Sequence, residues 1–197
     1  MRPRPYISYT QMMLVEKSPE RYLDYYIRGR KKFSNKFMDL GKKVATSLET
    51  EEDTGDAMTD MIVSKLPKYD IMDQEIHLKI KAGKEVVPVL IKPDTVKKDH
   101  SAFIEYKTGQ KGTWDRGKVD RDDQITFYAT GLYTLTQKIP EMKLIQAVTE
   151  VDGGKVELTG EIIGYKTTRK YHDILIMKGR IYNAWKKIEK ITEEELI

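Results

Sequence analysis

Between residues 70 and 107 the chain changes texture, and that change limits its fold more than any other feature. "DIMDQEIHLKI", "KEVVPVLIKPD" and "SAFIEYK" are short apolar runs, with Ala82-Gly83 between the first two and the polar residues 97–100 between the last two. Runs of this length, rich in β-branched residues and bounded by turn residues, form strands, so three consecutive strands are expected, the first two as a hairpin. On both sides the spacing is helical. Ser8 or Thr10 can cap a helix to about residue 16, and "SPERYLDYYI" starts another with Ser18 as cap and Pro19 in its first turn. "FMDLGKKVATSLETEE" repeats apolar residues at Leu40, Val44 and Leu48, one helix face, and a short helix is expected over 56–65 before Pro67.

Downstream, "DRDDQITFYATGLYTLTQ" has helical spacing through Ile125, Tyr128, Leu132 and Leu135. A second hairpin, "KLIQAVTEV" with "KVELTGEIIGY", turns at Asp152-Gly153-Gly154, and a long amphipathic helix is expected from about 167 to 189. The order of helices, three strands, helix, two strands and helix predicts the α/β (α+β) class, a mixed central sheet flanked by helices. At 197 residues a single domain over 1–197 is expected.

Composition narrows the function classes. No apolar run approaches the roughly 20 residues that cross a bilayer, and "MRPRPYISYT" has basic residues with no apolar signal core behind them. The expectation is a cytoplasmic protein without a membrane partner. There is no cysteine, so disulfides, thiolate zinc sites and an iron-sulfur cluster are excluded, and any metal must take oxygen or imidazole ligands. Charge is unevenly placed: residues 1–48 carry eleven Lys/Arg against four Asp/Glu, and residues 49–60 carry six acids and no base. That asymmetry suits an anionic partner near the N-terminal third, as it also suits a solvated surface.

The chemistry concentrates at "IKPDTVKKDHSAFIEYKTG". On a strand Glu105 and Lys107 share a face and Tyr106 points away. With Asp94 at the end of a neighbouring strand, two carboxylates converge beside an ammonium. Carboxylate oxygens suit Mg²⁺ or Mn²⁺, which lower the pKa of a bound water and neutralise a phosphoryl oxygen. Lys107 could orient or deprotonate the attacking water, or stabilise the phosphate as a charge. The alternative is a turn-capping Asp94 and a surface ion pair worth about 0–1 kcal/mol. Against it, "VVPVLI" and "AFI" deliver these charges at the edge of a core. His77, His100 and His172 lack ligand spacing to one another, and there is no phosphate-cradling glycine loop.

These residues carry a resemblance. "PD" followed by "EYK" is similar to the PD-(D/E)XK nuclease superfamily, and the surrounding sequence looks like its RecB-like exonuclease branch, of phage type. "ISYTQMMLVEKSPERYLDYYI" resembles the opening helices of such domains, with Ser18-Pro19 where many members have Cys-Pro. "LGKKVATSLE" resembles the helix written G-x-x-x-H, "EYKTG" the lysine motif, and "DQITFYA" the Gln-x-x-x-Tyr helix. The resemblance implies a restriction-endonuclease-like core with Asp94, Glu105 and the Tyr106 carbonyl as ligands of Mg²⁺ or Mn²⁺. It makes Lys107 the catalytic lysine and has Gln124 and Tyr128 position it or the scissile phosphate. One departure stands out: the motif's histidine position is Ala45, and a methyl group ligates nothing. Glu49, one turn on, could substitute or could simply open the acidic run. An active site with fewer ligands, a natural loss of activity and an engineered His-to-Ala change all remain open.

The implied substrate is DNA, as linear ends or single strands, with a recombination or single-strand-binding protein as a candidate second partner. In the family the opening helices flank the cleft, so Arg28, Arg30, Lys31 and Lys32, with Lys36, Lys42 and Lys43, are the candidate backbone contacts. Tyr22, Tyr25, Tyr26, Phe33 and Phe37 are interleaved with them, suiting either base stacking or core packing. "KTGQKGTWDRGK", a Gly-rich basic loop over 107–118 with Lys111 and Trp114, is a second candidate. The expected function is a metal-dependent DNA exonuclease in phage recombination or DNA processing. Its rivals are a catalytically silent DNA-binding module, a structure-specific endonuclease of the same superfamily, and an adaptor with charged strands at its surface.

Overall fold

In the computed structural model, which describes residues 4–31 and 34–196, most helical and extended segments fall where their spacing puts them, but the run expected as one strand over 70–80 is split into Ile71–Met72 and Ile76–Ala82, which pair in different sheets. A short strand β1 (Ile7–Ser8) leads into α1 (Tyr9–Lys17), whose Gln11 side-chain oxygen Oε1 accepts from the Ser8 N–H at 2.9 Å. Pro19 opens α2 (Pro19–Tyr22), which continues as a wider π-helical turn over Leu23–Ile27. Asn35 caps α3 (Lys36–Thr50) and Asp56 caps α4 (Ala57–Lys65), each accepting backbone N–H groups of the first turn.

The strand region holds β2 (Ile71–Met72), β3 (Ile76–Ala82), β4 (Glu85–Ile91), β5 (Thr95–Val96) and β6 (Ala102–Gln110). β3 and β4 form the expected hairpin, closed at Gly83 with φ +64°. After β6 come α5 (Arg116–Asp120) and α6 (Asp123–Thr136), then the hairpin of β7 (Glu141–Asp152) and β8 (Lys155–Thr167), and finally α7 (Tyr171–Leu196).

The class is the expected one, with mixed sheets flanked by helices, but one central sheet is replaced by two. A three-stranded sheet has the order β1-β4-β3, with β1 parallel to β4, and a five-stranded sheet has the order β2-β5-β6-β7-β8, with β6 parallel to β7. The break comes at Lys92-Pro93-Asp94. Proline has no N–H to donate to a ladder, so β4 ends at Ile91 and pairing with β6 passes to the two-residue β5. Two lengths also differ. β6 continues to Gln110 and α5 starts at Arg116, which shrinks the loop expected over 107–118 to residues 111–115, and α7 starts after residue 167 and extends beyond 189.

Helices cover both faces of the five-stranded sheet. Phe103 of β6 joins the main core with α1, α6 and α7, and the next residue, Ile104, joins a second core with Val44 and Leu48 of α3 and Ile62 of α4. On the main-core side α6 lies hard against β4: a Cβ added at Gly131 would meet Ile91 carbons at 2.8 Å. Among the described residues no helix is long and apolar enough to cross a membrane.

Candidate active site

β6 carries acid and amine out of the core together. Its period-two alternation puts Glu105 and Lys107 on one face, and Lys107 Nζ donates to Glu105 Oε1 at 2.6 Å. Tyr106 turns the other way and its hydroxyl donates to the Pro67 carbonyl at 2.5 Å. Asp94 sits in the bend between β4 and β5, where the Tyr106 N–H donates to its Oδ2 at 2.6 Å. A strand residue directs its N–H and C=O toward the same neighbour, so the Tyr106 carbonyl faces that edge as well.

Behind Lys107 stands α6. Asp122 caps it by accepting from the Ile125 N–H at 2.8 Å, and in the first turn Gln124 Oε1 accepts from Lys107 Nζ at 2.8 Å. Gln124 Nε2 donates to the Tyr128 hydroxyl at 2.9 Å, one helical turn on. Glu105, Lys107, Gln124 and Tyr128 are therefore one hydrogen-bonded chain.

Burial governs the electrostatics. Glu105 is 2% exposed, and desolvation pushes its carboxyl up to about 8 against the pull of the Lys107 ammonium, with Asp94 adding to the push. Asp94 is also raised by burial, opposed by the Tyr106 N–H and by Lys107. Burial works against the Lys107 ammonium, but the charge and hydrogen bond of Glu105 together with Asp94 hold it above its ordinary value. Lys107 is thus held as a cation, and burial disfavours the charged form of both carboxyl groups in spite of that neighbouring ammonium.

Helix α3 forms the opposite wall, and Phe37, Gly41, Ala45 and Glu49 recur every fourth residue along it. Gly41 permits its close approach, since a Cβ there would stand 3.1 Å from Thr108 Oγ1 on β6. A cavity of about 430 Å³ lies between them, lined by Phe37, Met38, Gly41, Ala45, Asp94 and Lys107 among others. An adjoining hollow of about 220 Å³ shares Lys42, Ala45, Asp94 and Tyr106 and adds Glu49, Asp73 and Lys92. Ala45 thus lines both hollows and Glu49 the second.

Two neighbours escaped the sequence reading. The Asp73 N–H donates to the Asp94 carbonyl at 2.9 Å, and the Asp73 carboxylate pairs with Lys92 at 2.6 Å. Lys92 could have been picked up from its place two residues before Asp94. Asp73 gave no local signal, because it enters through the turn between β2 and β3 with φ +45°.

Most of the expected nucleic-acid contacts are otherwise engaged. Arg28 bonds to Glu20, to Asp24 at 3.0 Å and to Glu195 at 2.6 Å, and Arg30 pairs with Asp24 at 3.0 Å. Their charge is thereby neutralised within the protein, and neither lines the two hollows. Lys43 pairs with Asp56 at 3.4 Å, Lys111 with Glu161 at 2.9 Å, and Lys36 donates to the Gly154 carbonyl at 2.8 Å. Trp114 packs on the main core, Tyr22 and Tyr26 stack there with centroids 5.2 Å apart, and Tyr25 packs beside them. Lys31 is exposed, and Lys32 and Phe33 lie outside the described residues. Lys42 and Phe37 are the members of the expected set that line the cleft.

Among the described residues no group of three or more acids or histidines is placed to hold a metal. Asp94 and Glu105 are nevertheless suited to a hard divalent cation, which commonly takes one or two carboxylates and completes its shell with water and phosphate. Glu105 Oε2 is buried without a hydrogen-bond partner, and such an orphaned oxygen is costly unless a cation or donor meets it.

No protein-family model matches the chain, and no curated protein matches it. Among solved structures it is similar to a "putative exonuclease" from Eubacterium rectale, with a TM-score of 0.57 and 14% identity over 91% of this chain and 81% of that one. It is also similar to SSO0001, with a TM-score of 0.50 and 14% identity over 92% of this chain and 77% of that one. At this identity what the chain shares with both is the fold, helices flanking a mixed-sheet core.

Proposed function

We propose that the protein is a metal-dependent nuclease of the PD-(D/E)XK type, RecB-like, which hydrolyses phosphodiester bonds of DNA from strand ends. The observation that carries this reading is the convergence of Asp94 and Glu105 beside Lys107, with Gln124 and Tyr128 holding the lysine. The fold likeness to a structure named for exonuclease activity supports it. So does the orphaned, buried oxygen of Glu105.

Asp94, Glu105 and the Tyr106 carbonyl would hold Mg²⁺ or Mn²⁺, which when bound supplies an activated water and charge neutralisation at the phosphoryl oxygen. Lys107, charged at neutral pH, donates to a phosphoryl oxygen or orients the attacking water. Gln124 fixes the direction of that ammonium, and Lys42 lies at the cleft wall to meet a backbone phosphate. A role in phage recombination, beside a single-strand-binding or recombination partner, extends the same reading. Ala45 favours a second one: exposed at the cleft where the motif has a histidine, it suits a silent fold that binds DNA without cutting it.

The test is cleavage of end-labelled linear DNA and closed circular DNA with Mn²⁺, Mg²⁺ or chelator, with Lys107→Ala in parallel. Metal-dependent loss of linear DNA alone, reduced at least about 100-fold in the variant, is expected for the exonuclease. Cutting of circular DNA identifies an endonuclease, and DNA binding without cleavage identifies the silent module.

A further inference from the structure

The cavity that holds Asp94 and Lys107 has a wall that phosphate chemistry does not require. Phe37 and Met38, at the start of α3, are 42% and 46% exposed and line it together with Val44, Leu66, Ile145 and Ala147. Large apolar side chains left open to solvent beside polar reacting groups mark a surface that awaits an apolar ligand. The volume of about 430 Å³ is that of a small-ligand site.

Helix α3 orders the wall. Phe37, Gly41, Ala45 and Glu49 follow one another at intervals of four, so an aromatic ring, two positions without bulk and a carboxylate lie in line along the cleft. Gly41 sits against Thr108, next to Lys107, and Ala45 lies beside Asp94 and Tyr106. The centre of the line therefore flanks the charged groups, and the Phe37 end flanks the apolar pocket. Lys42 lines both hollows and donates to Ser34 Oγ at 3.2 Å; its only ion pair among the described residues is a loose one with exposed Asp39 at 3.8 Å, and 66% of its side chain is exposed.

We propose that this apolar hollow is a nucleobase subsite: it takes the unstacked base of the nucleotide next to the phosphate at Asp94 and Lys107, against Phe37 and Met38. The inference rests on the nuclease reading and deepens it. A base has an apolar face and stacks on an aromatic ring whatever its identity, whereas a paired base inside a duplex shows only its edges. The hollow would thus select single strands and frayed ends without reading sequence. The occupant is a base rather than an apolar peptide because the same cavity carries two cations, Lys42 and Lys107, for the adjoining phosphates.

The experiment uses single-stranded oligonucleotides ending in 2-aminopurine or in an abasic sugar, with parent, Phe37→Ala, Phe37→Trp and Met38→Ser. Binding is read in Ca²⁺ and cleavage in Mn²⁺. The parent should bind the base-bearing end roughly 5- to 100-fold more tightly than the abasic end and quench the 2-aminopurine. Phe37→Ala should remove most of that preference, and Phe37→Trp should keep it. Equal affinity of the parent for both ends, or the same preference in Phe37→Ala as in the parent, overturns the subsite. Cleavage with an unchanged base preference in Phe37→Ala defeats the subsite alone. Base-dependent binding through Phe37 with no cleavage defeats the nuclease reading and keeps the subsite.

Discussion

Lys107 and Gln124 come from different elements, β6 and α6, and meet at 2.8 Å, which fixes the amide as well as the amine. An ammonium has only donors, so the Gln124 oxygen must face it, and the amide nitrogen is then left to donate to Tyr128. Replacing Gln124 by Leu keeps the volume and removes both bonds. The expected outcome is a 10- to 100-fold fall in turnover, roughly the cost of a misplaced reacting group, with far-UV circular dichroism unchanged. Tyr128→Phe should cost less, since Lys107 keeps its acceptor. Parental turnover in Gln124→Leu would show that the lysine needs no such guide.

Glu105 ties stability to pH. Its folded value of about 8 lies above its ordinary 4.5, so the folded state holds the proton more tightly. The associated stability is complete below about pH 4.5 and is lost as pH rises through about 8. In chelator, the melting temperature of the parent should fall relative to Glu105→Gln between pH 5 and pH 8.5, because the amide cannot ionise. Added Mn²⁺ at pH 8.5 should raise the parent more than the variant, since a ligand of the folded state stabilises it. A constant difference between the two proteins across this range would mean that Glu105 is ionised throughout.

Much of this site is legible in the chain because it is built on local periods. The pairing of Glu105 with Lys107 follows from the two-residue repeat of a strand, and that of Gln124 with Tyr128 from the turn of a helix. Leu40, Val44 and Leu48 mark the inner face of α3 in the same way, and Val44 and Leu48 are buried there. What the sequence hid depends on distant partners. Arg28 reads as a free cation until Glu195, 167 residues away, closes on it, and Trp114 reads as a loop residue until the main core receives it. Pro93 gave a signal, as a residue that cannot continue a ladder. Its consequence, a sheet divided in two, depends on which strands β5 and β4 then find.

Arg169 is 6% exposed and pairs with no carboxylate among the described residues; its guanidinium instead gathers the corner between α5 and α6. It donates to Thr126 Oγ1 and Thr167 Oγ1 at 2.7 Å each, and to the carbonyls of Thr168, Val119 and Asp122 at 2.9, 3.1 and 3.0 Å. Asp122 is the cap from which Gln124 is hung. Arg169→Met keeps the apolar stem and orphans these acceptors, each at about 1–3 kcal/mol when buried. A loss of about 3–5 kcal/mol in urea unfolding is expected. A change below about 1 kcal/mol would mean that water replaces the guanidinium at this corner.

Ala45 offers the most direct probe of the wall opposite β6. Its methyl lines both hollows, beside Asp94 and Tyr106, and it is exposed, so an imidazole can be introduced without displacing core atoms. Two carboxylates are a sparse set for a divalent cation, and a neutral imidazole is a good third ligand for Mn²⁺, less so for Mg²⁺. Ala45→His should therefore lower the Mn²⁺ concentration for half-maximal thermal stabilisation by about tenfold or more, equal to about 1.4 kcal/mol of binding. The gain with Mg²⁺ should be smaller, and it should shrink below pH 6 as the imidazole protonates. Histidine placed at Thr46, one residue round the helix and lining only the second hollow, is the control. Equal gains at 45 and 46 would mean that any added imidazole recruits Mn²⁺ to this surface, and no gain at 45 would move the cation away from α3.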